Sequence, residues 1–543
     1  MTDFDVDVAV VGAGPTGLTV CNLLGAAGVR TVLIERNAST VSEPRAVSID
    51  DESLRTMQSL GLLPELLRDI APDYGSHYLT PSGKIFLKVE PKTREFGHPR
   101  RNAFLQPKLE NTLRQGLARY ACVQTWFETS CETVEEDAEG VTLGLLTVAG
   151  EARSIRVRYV VGSDGGRSML RKVIGATLGG ATYQQRWLIV DLASTVERFR
   201  QTRVLCNPDR PAICLPGPHG TRRYEFMLRD GETDELAQSD VFVRDLLAKH
   251  GPDRDAPVVR QQAYTFHARM VDRWASNRIF LAGDAAHLTP PFAGQGMNSG
   301  VRDAHNIGWK LAQVVQGRLG PGLLRSYAEE RPAHAWALIQ LAVKMGRVMM
   351  PKSRLQAWLV QTGFRAARVL PQVQAYFAEM KYKPKPFYQK GFLSAGITHG
   401  IVGRMLPQPV LELQDGARAL MDDVIGQNFA VIAYGYQAQA VSNAVAALDP
   451  GLSGPVHLAI TPRDWNMQRD AGAGLAGRDV EGRLAVLTPA AGGTLLLLLR
   501  PDRYVALAMQ IDSSGQVAEF AREVREMVAA TGRPSHEGPA RRG

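Results

Sequence analysis

Cysteine is scarce: there are five in 543 residues, Cys21, Cys122, Cys131, Cys206 and Cys214, with no CxxC pair and no zinc spacing among them. A thiol-ligated metal centre is thereby excluded, as is the CxxxxC redox pair of a disulfide reductase. Reduced thiols in a cytoplasmic chain are the expected state. Long hydrophobic runs are missing too. The purest, Leu495 to Leu499, is far short of the roughly 18 residues a bilayer span requires and reads as a buried strand. The opening residues MTDFDVDVAVVG carry acids and no basic n-region, so no signal peptide is expected. Basic runs with interleaved aromatics are also lacking. The formal net charge of +8 therefore reads as solvated surface with a mild pull on anionic ligands, not as a nucleic-acid footprint. With no internal repeat and no ligand set at metal spacing, the expected partners include no metal, no nucleic acid and no membrane.

What is present is a globular composition, 45% hydrophobic and 22% charged, in a chain long enough for two or three domains. The expected class is α/β (α+β), with four parts. A nucleotide-binding domain is assembled from residues 1–75, 102–181 and 269–345. Alternating apolar and polar segments at 76–101 and 182–268, such as YLTPSGK and RRYEFML, predict an inserted antiparallel sheet that binds substrate. Residues 346–404 read as a helical segment and linker, with KYKPKPFYQKG as the linker itself. Residues 405–535 form a third unit with strands FAVIAYG and TLLLLL and a closing helix near 516–530, and the tail HEGPARRG is expected to be disordered.

The strongest local signal is Gly12-Ala-Gly14-Pro15-Thr-Gly17, placed directly after the Val-rich run VDVAVV and directly before a helical period that Gly28 closes. Strand, glycine turn and helix in that order make a dinucleotide fingerprint. Gly12 makes the tight turn, Gly14 lets a pyrophosphate approach the backbone, and Gly17 brings helix and strand together. The helix N-terminus supplies free N–H groups and about half a positive charge. Glu35, eighteen residues beyond Gly17, ends the next strand and is placed for the ribose hydroxyls. This motif alone leaves FAD and NAD as alternatives.

Two further strand–Gly–Asp–helix segments follow, YVVGSDGGRS around Asp164 and GDAAHLTPPFAGQGMN from Gly283 to Asn298. Three such elements in this order resemble the flavin-dependent aromatic hydroxylases, the phenol and para-hydroxybenzoate hydroxylase class. No second GxGxxG exists for a separate nicotinamide domain. The resemblance covers about residues 5–345 and implies FAD as the cofactor. Gly12, Gly14, Pro15, Gly17, Glu35 and Arg36 would hold its ADP half, with Arg45 and Gln106 from the following loops. Asp164 would serve flavin and nicotinamide. Gly283 and Asp284 would meet the ribityl chain, Pro291 would shape the ring pocket, and Gly294, Gly296, Met297 and Asn298 would present N–H groups to the flavin. His287 is then a structural helper of the loop. The segments EFGHPRRNAFLQP, MQSLGLL, YLTPSGK, RRYEFM and GQGMNSGVRDAHNIGWKL resemble the 3-(3-hydroxyphenyl)propionate hydroxylases in particular.

That resemblance implies that NADH or NADPH reduces FAD, that O2 adds to give a flavin C4a-hydroperoxide, and that a phenolic aromatic acid becomes a catechol. Another phenol or polyketide aromatic, or a flavin oxidase or dehydrogenase of the same fold, are the alternatives. A phenol near pKa 10 lies about 4 kcal/mol from ionising at pH 7, so a base near its hydroxyl would help. Asp50 and Tyr224, with Arg222 beside them, occupy the positions where the phenol hydroxylases carry an aspartate and a tyrosine. The same residues also have structural readings: Asp50 as a helix cap, Tyr224 as sheet core. Arg186, Arg210, Arg223 and His219 are all candidates for the cation that meets the acid's carboxylate. The C-terminal unit resembles the thioredoxin-like appendage of the phenol hydroxylases. It contains no cysteine, so a structural or dimerisation role is expected, and a homodimer for the whole.

Overall fold

The structure, a computed structural model, describes residues 4–41, 45–395, 400–448, 451–464, 475–487 and 493–532. The expected disordered tail and residues Glu43 and Pro44 of the post-strand loop lie outside the described residues.

The nucleotide half is built on a sheet in which Val123–Trp126, Thr31–Ile34, Val6–Val11 and Ala152–Gly162 run parallel, with Ile279–Leu281 parallel beside Ala152–Gly162. Antiparallel strands Val141–Thr147 and Thr129–Glu136 extend it. Helices Pro15–Ala26 and Gly296–Val315 pack against each other over this sheet. Gly308 makes the close approach possible, because a Cβ there would stand 3.0 Å from Leu23. All three glycine-bearing turns therefore converge at the carboxyl ends of the parallel strands, where open α/β sheets bind ligands.

The inserted sheet has eight strands, in the order His287–Leu288, Val258–Val271, Leu178–Leu192, Arg222–Met227, Ala212–Pro216, Thr202–Leu205, Ser76–Leu79 and Ile85–Val89. It is antiparallel except that Thr202–Leu205 runs parallel to Ser76–Leu79. Those two strands enter from stretches of chain separated by most of the nucleotide sheet, so no hairpin constrains their direction. One face packs on helix Asp240–His250 through Leu188, Val190, Tyr224 and Phe226. At the expected boundary near residue 101, Arg101–Phe104 forms a three-stranded ribbon with Ser48–Asp50 and Ile70–Ala71.

Two helices lie in the expected helical segment, ahead of the stretch read as a linker. Helices Arg354–Ala367 and Pro371–Ala378 cover the outermost inserted strand through Phe86, Phe364 and Phe377. The chain then carries Met380, Tyr382 and Lys383 into the interior, and Tyr388 stacks on Tyr504 at 4.0 Å. Proline-rich composition here marks a fixed crossing, held by ring packing.

The C-terminal unit is a seven-stranded sheet in which Val456–Thr461, Ala430–Gly435 and Thr494–Leu499 run to an edge at Val505–Ile511, with helices Ala438–Ala446 and Ser514–Ala529. Leu496 and Leu498 join the main core, while Leu495, Leu497 and Leu499 join a second cluster on the other face. Burial on both faces explains the unbroken apolar run. A seam of buried charge fixes this unit to the nucleotide half. Glu330 accepts from Lys310 at 2.7 Å and from both arms of Arg500 at 2.8 Å, and Asp422 binds Arg55 and Arg503.

Candidate active site

At the first glycine turn, Gly12 has φ +104°, and a Cβ there would overlap the Ser163 carbonyl oxygen. A Cβ at Gly17 would overlap the Gly12 oxygen, whereas at Gly14 it would meet nothing within 4 Å. Gly12 and Gly17 make the turn, and Gly14 leaves its backbone open to a ligand. Glu35 stands beside this turn, with Oε2 accepting from the Ala13 N–H at 2.8 Å and Oε1 from the Asn37 N–H at 2.9 Å. Arg36 is exposed next to it.

Gly14 and Pro15 open onto a cavity of about 370 Å³ that runs to the inserted sheet. Arg45, Gln106, Gly283, Asp284, Pro291, Gly294, Gly296 and Met297 also line it, so these predicted cofactor residues are brought together. Gln106 holds the post-strand loop, its Oε1 accepting from the N–H groups of Arg45 and Ala46. Asp284 is exposed to the cavity, yet the protein crowding round it raises its carboxyl above the ordinary range, against the pull of His287 and Arg45.

The loop is braced from behind. Asp303 accepts from the Gly283 N–H at 2.9 Å, pairs with His287 Nε2 at 2.7 Å and takes Arg331 at 2.7 Å. Burial opposes ionisation of Asp303, but Arg331 and His287 prevail and hold its carboxyl at about 2. His287 is thus paired with Asp303 and forms no acid/base couple with Asp284.

Two predicted cofactor residues stand behind the cavity wall. Asn298 spends its side-chain amide on bracing, accepting from the Asp50 N–H and Ser53 hydroxyl and donating to the Ser48 and Gly294 carbonyls. Asp164 uses Oδ2 to cap helix Met169–Val173, while its buried Oδ1 has no hydrogen-bond partner. Its neighbours Ser163 and Gly165 line the cavity. The open face of Gly14, the free carboxylate of Asp284 and this orphaned acceptor fit a large polar cofactor lying along the turns.

None of the three predicted catalytic residues stands on the cavity wall. Tyr224 and Arg222 point away from the cavity, because alternate residues of strand Arg222–Met227 face opposite sides. The Tyr224 hydroxyl donates to Asp253 at 2.8 Å, and its ring stacks on Phe226 under the helix. Arg222 donates to the Glu197 and Phe199 carbonyls. The cavity receives Arg223 and Glu225 instead. Asp50 caps helix Asp51–Ser59, accepting from the Ser53 N–H at 3.0 Å, and binds Arg302 and Lys383. Burial works to raise its carboxyl, and those two cations outweigh it, holding Asp50 below the ordinary range. The carboxylate is thus capped, doubly paired and off the cavity wall.

Arg223 grips Asp191 through Nε at 2.6 Å and donates from Nη1 to the Arg45 carbonyl, tying the inserted sheet to the post-strand loop. Glu225 stands 4.0 Å from that guanidinium, and burial pushes its carboxyl up to about 7 despite Arg223. The RRYEFM alternation carried the signal for both. Arg101, Tyr74, Tyr382 and Lys383 also line the cavity and were not anticipated. Among the cations considered for a substrate carboxylate, Arg186 pairs with Asp234, Arg210 with Glu232, Arg223 with Asp191 and His219 with Asp69.

A family described as an FAD binding domain matches residues 5–342, and one described as an HcaD C-terminal domain matches 403–524. The 3-(3-hydroxy-phenyl)propionate/3-hydroxycinnamic acid hydroxylase of Klebsiella pneumoniae subsp. pneumoniae is 39% identical over 537 residues, covering 97% of this chain and 96% of that protein. The protein of the same name from Shigella sonnei is 38% identical over 516 residues, covering 92% and 91%. The fold is similar to that of the flavin-dependent monooxygenase PieE, with TM-score 0.80, 23% identity and coverage of 97% and 99%. It is similar also to aklavinone-11 hydroxylase, with TM-score 0.77, 24% identity and coverage of 97% and 100%.

Proposed function

The chain belongs to the FAD-dependent aromatic hydroxylases, and we propose that its substrate is 3-(3-hydroxyphenyl)propionate, converted to 3-(2,3-dihydroxyphenyl)propionate in aromatic catabolism. The observation that carries this reading is the single cavity joining the glycine turns to a substrate-facing sheet wall that holds both Glu225 and arginine side chains. The names and extent of the relatives support the same substrate.

FAD, reduced by NAD(P)H, supplies the activated oxygen; the balance is phenol, O2, NAD(P)H and a proton to catechol, water and NAD(P)+. Gly14, Pro15 and the N-terminus of helix Pro15–Ala26 would take its pyrophosphate, Glu35 the adenosine ribose, Asp284 the ribityl hydroxyls, and Gly294 to Met297 the ring edge. The remaining task falls to side chains. Glu225 accepts the phenol proton, and Arg223 holds the sheet wall against the Arg45 loop. Raising Glu225 from its ordinary value to about 7 reduces the uphill cost of taking a proton from a phenol by about 3 kcal/mol. Met345, Met349 and Met380 supply apolar wall around the ring.

We further propose a cytoplasmic homodimer. No described helix is long and apolar enough to cross a membrane, and all five cysteines are free. Leu355, Trp358 and Leu359, spaced as one helical face, are each more than half exposed, which supports contact with a second copy. The C-terminal unit, without cysteine, serves as a thioredoxin-like structural appendage with no dithiol chemistry.

The deciding assay incubates the yellow protein with NADH, O2 and 3-(3-hydroxyphenyl)propionate and follows the catechol by chromatography. Stoichiometric catechol is expected. Rapid NADH use that yields only hydrogen peroxide would show that the substrate is a different phenol.

A further inference from the structure

The cavity wall carries Arg45, Arg101, Arg223 and Lys383. Arg223 is held by Asp191, and Lys383 by Asp50 at 3.0 Å and Glu52 at 2.7 Å. Arg45 belongs to the cofactor end, beside Gln106 and within the field of Asp284. Arg101 differs. Its guanidinium donates to the Ser76 hydroxyl and, at 3.3 Å, to the Tyr74 hydroxyl, and it lies 4.6 Å from the centre of the Tyr74 ring. No carboxylate pairs with it among the described residues. Its cross-strand partner, Asp50, is already taken by Arg302 and Lys383.

An arginine lodged among phenol rings without a counter-ion carries an uncompensated desolvation cost. Its planar fork matches a carboxylate in two parallel hydrogen bonds. We infer that Arg101 binds the carboxylate of the aromatic acid substrate, at the sheet end of the cavity. The inference rests on the substrate class proposed above and names the residue that recognises it.

Position along the ribbon agrees. Ser48 and Ala103 form the cross-strand pair two positions from Asp50 and Arg101, and a Cβ on Gly294 of the flavin loop would stand 3.1 Å from Ser48. Arg101 lies two residues farther along, about 7 Å at the strand rise. A ring held against the Gly294 loop and a short extended acid chain cover such a span, so recognition and oxygen transfer occupy opposite ends of one molecule.

The test uses purified holoenzyme and two ligands that lack the phenol, 3-phenylpropionate and 3-phenylpropan-1-ol, each titrated against the flavin absorption spectrum. Wild type is expected to bind the acid at least tenfold more tightly than the alcohol. Arg101→Met should abolish that preference while leaving alcohol affinity within about threefold. Arg101→Lys, which keeps the charge and loses the fork, should retain part of it and provides a second reading if the methionine variant folds poorly. In turnover, KM for the acid should rise while kcat changes little. Preference in wild type that survives both substitutions would remove Arg101 and leave the substrate reading intact. A wild-type enzyme indifferent to the carboxylate would remove the substrate class and this inference together.

Discussion

The seam under the C-terminal unit and the cavity wall both bury charge, and they settle it in opposite ways. At the seam Glu330 is met by Lys310 and by both arms of Arg500, which also takes Asp502 at 2.6 Å. Burial opposes ionisation of Glu330, yet Arg500 and Lys310 hold its carboxyl at about 2. On the cavity wall Arg101 meets only hydroxyls, and Glu225 is left near neutrality with one guanidinium 4.0 Å away. At the seam the buried carboxylates find their cations within the protein; in the proposed reading Arg101 and Glu225 find their partner in the substrate.

Breaking a complete pair should cost most. Arg500→Met leaves Glu330 with Lys310 as its paired cation and takes the guanidinium from Asp502, and a loss of about 3–5 kcal/mol in denaturant unfolding is expected. A change below about 1 kcal/mol would mean that apolar packing alone carries the seam.

Glu225→Gln is next. Its open carboxylate is the proposed acceptor of the phenol proton, so kcat should fall about 100-fold with flavin retained. In wild type kcat/KM should rise with pH up to about 7, where Glu225 ionises; the variant should lack that limb. Stability moves the other way. A folded-state value raised to about 7 from the ordinary 4.5 means that the folded state holds a proton the unfolded state has released. Stability therefore declines between pH 4.5 and 7, by up to about 3 kcal/mol from this group, and Glu225→Gln should be the more stable protein at pH 8. Equal pH slopes of unfolding in the two proteins would sink the assignment.

How much of this could be read in the sequence follows the range of each interaction. The Gly12–Gly17 turn is local, and its glycines carry their own steric reasons, so the cofactor half was legible. The brace behind the second turn was not. Asp303 reaches His287 and Gly283 from another element, and nothing within GDAAHLTPPFAGQGMN announces it. Lys383 meets Asp50 across 333 positions, so a segment with a linker's composition became a cavity wall. Arg101 was likewise invisible, because its significance is a missing counter-ion, which only packing can reveal. The cap position of Asp50 before Glu52 was legible too, and the structure shows the cap hydrogen bond to Ser53.

The smallest expected effect is the most discriminating about the sheet. RRYEFM was legible as a strand; the face that meets the cavity, and with it Glu225, was not. Side chains on a strand alternate, so an error of one position exchanges the solvent-facing, core-facing and cavity-facing sets completely. Tyr224→Phe removes only the hydroxyl that donates to Asp253, whose carboxylate still accepts from the Thr195 hydroxyl at 2.6 Å and the Val196 N–H at 2.9 Å. Unfolding should cost about 1 kcal/mol, with kcat and the pH profile within twofold of wild type. A hundredfold loss of kcat in that variant would put the phenol on the helix-covered face of the sheet, and the cavity, Glu225 and Arg101 would all lose their assigned roles at once.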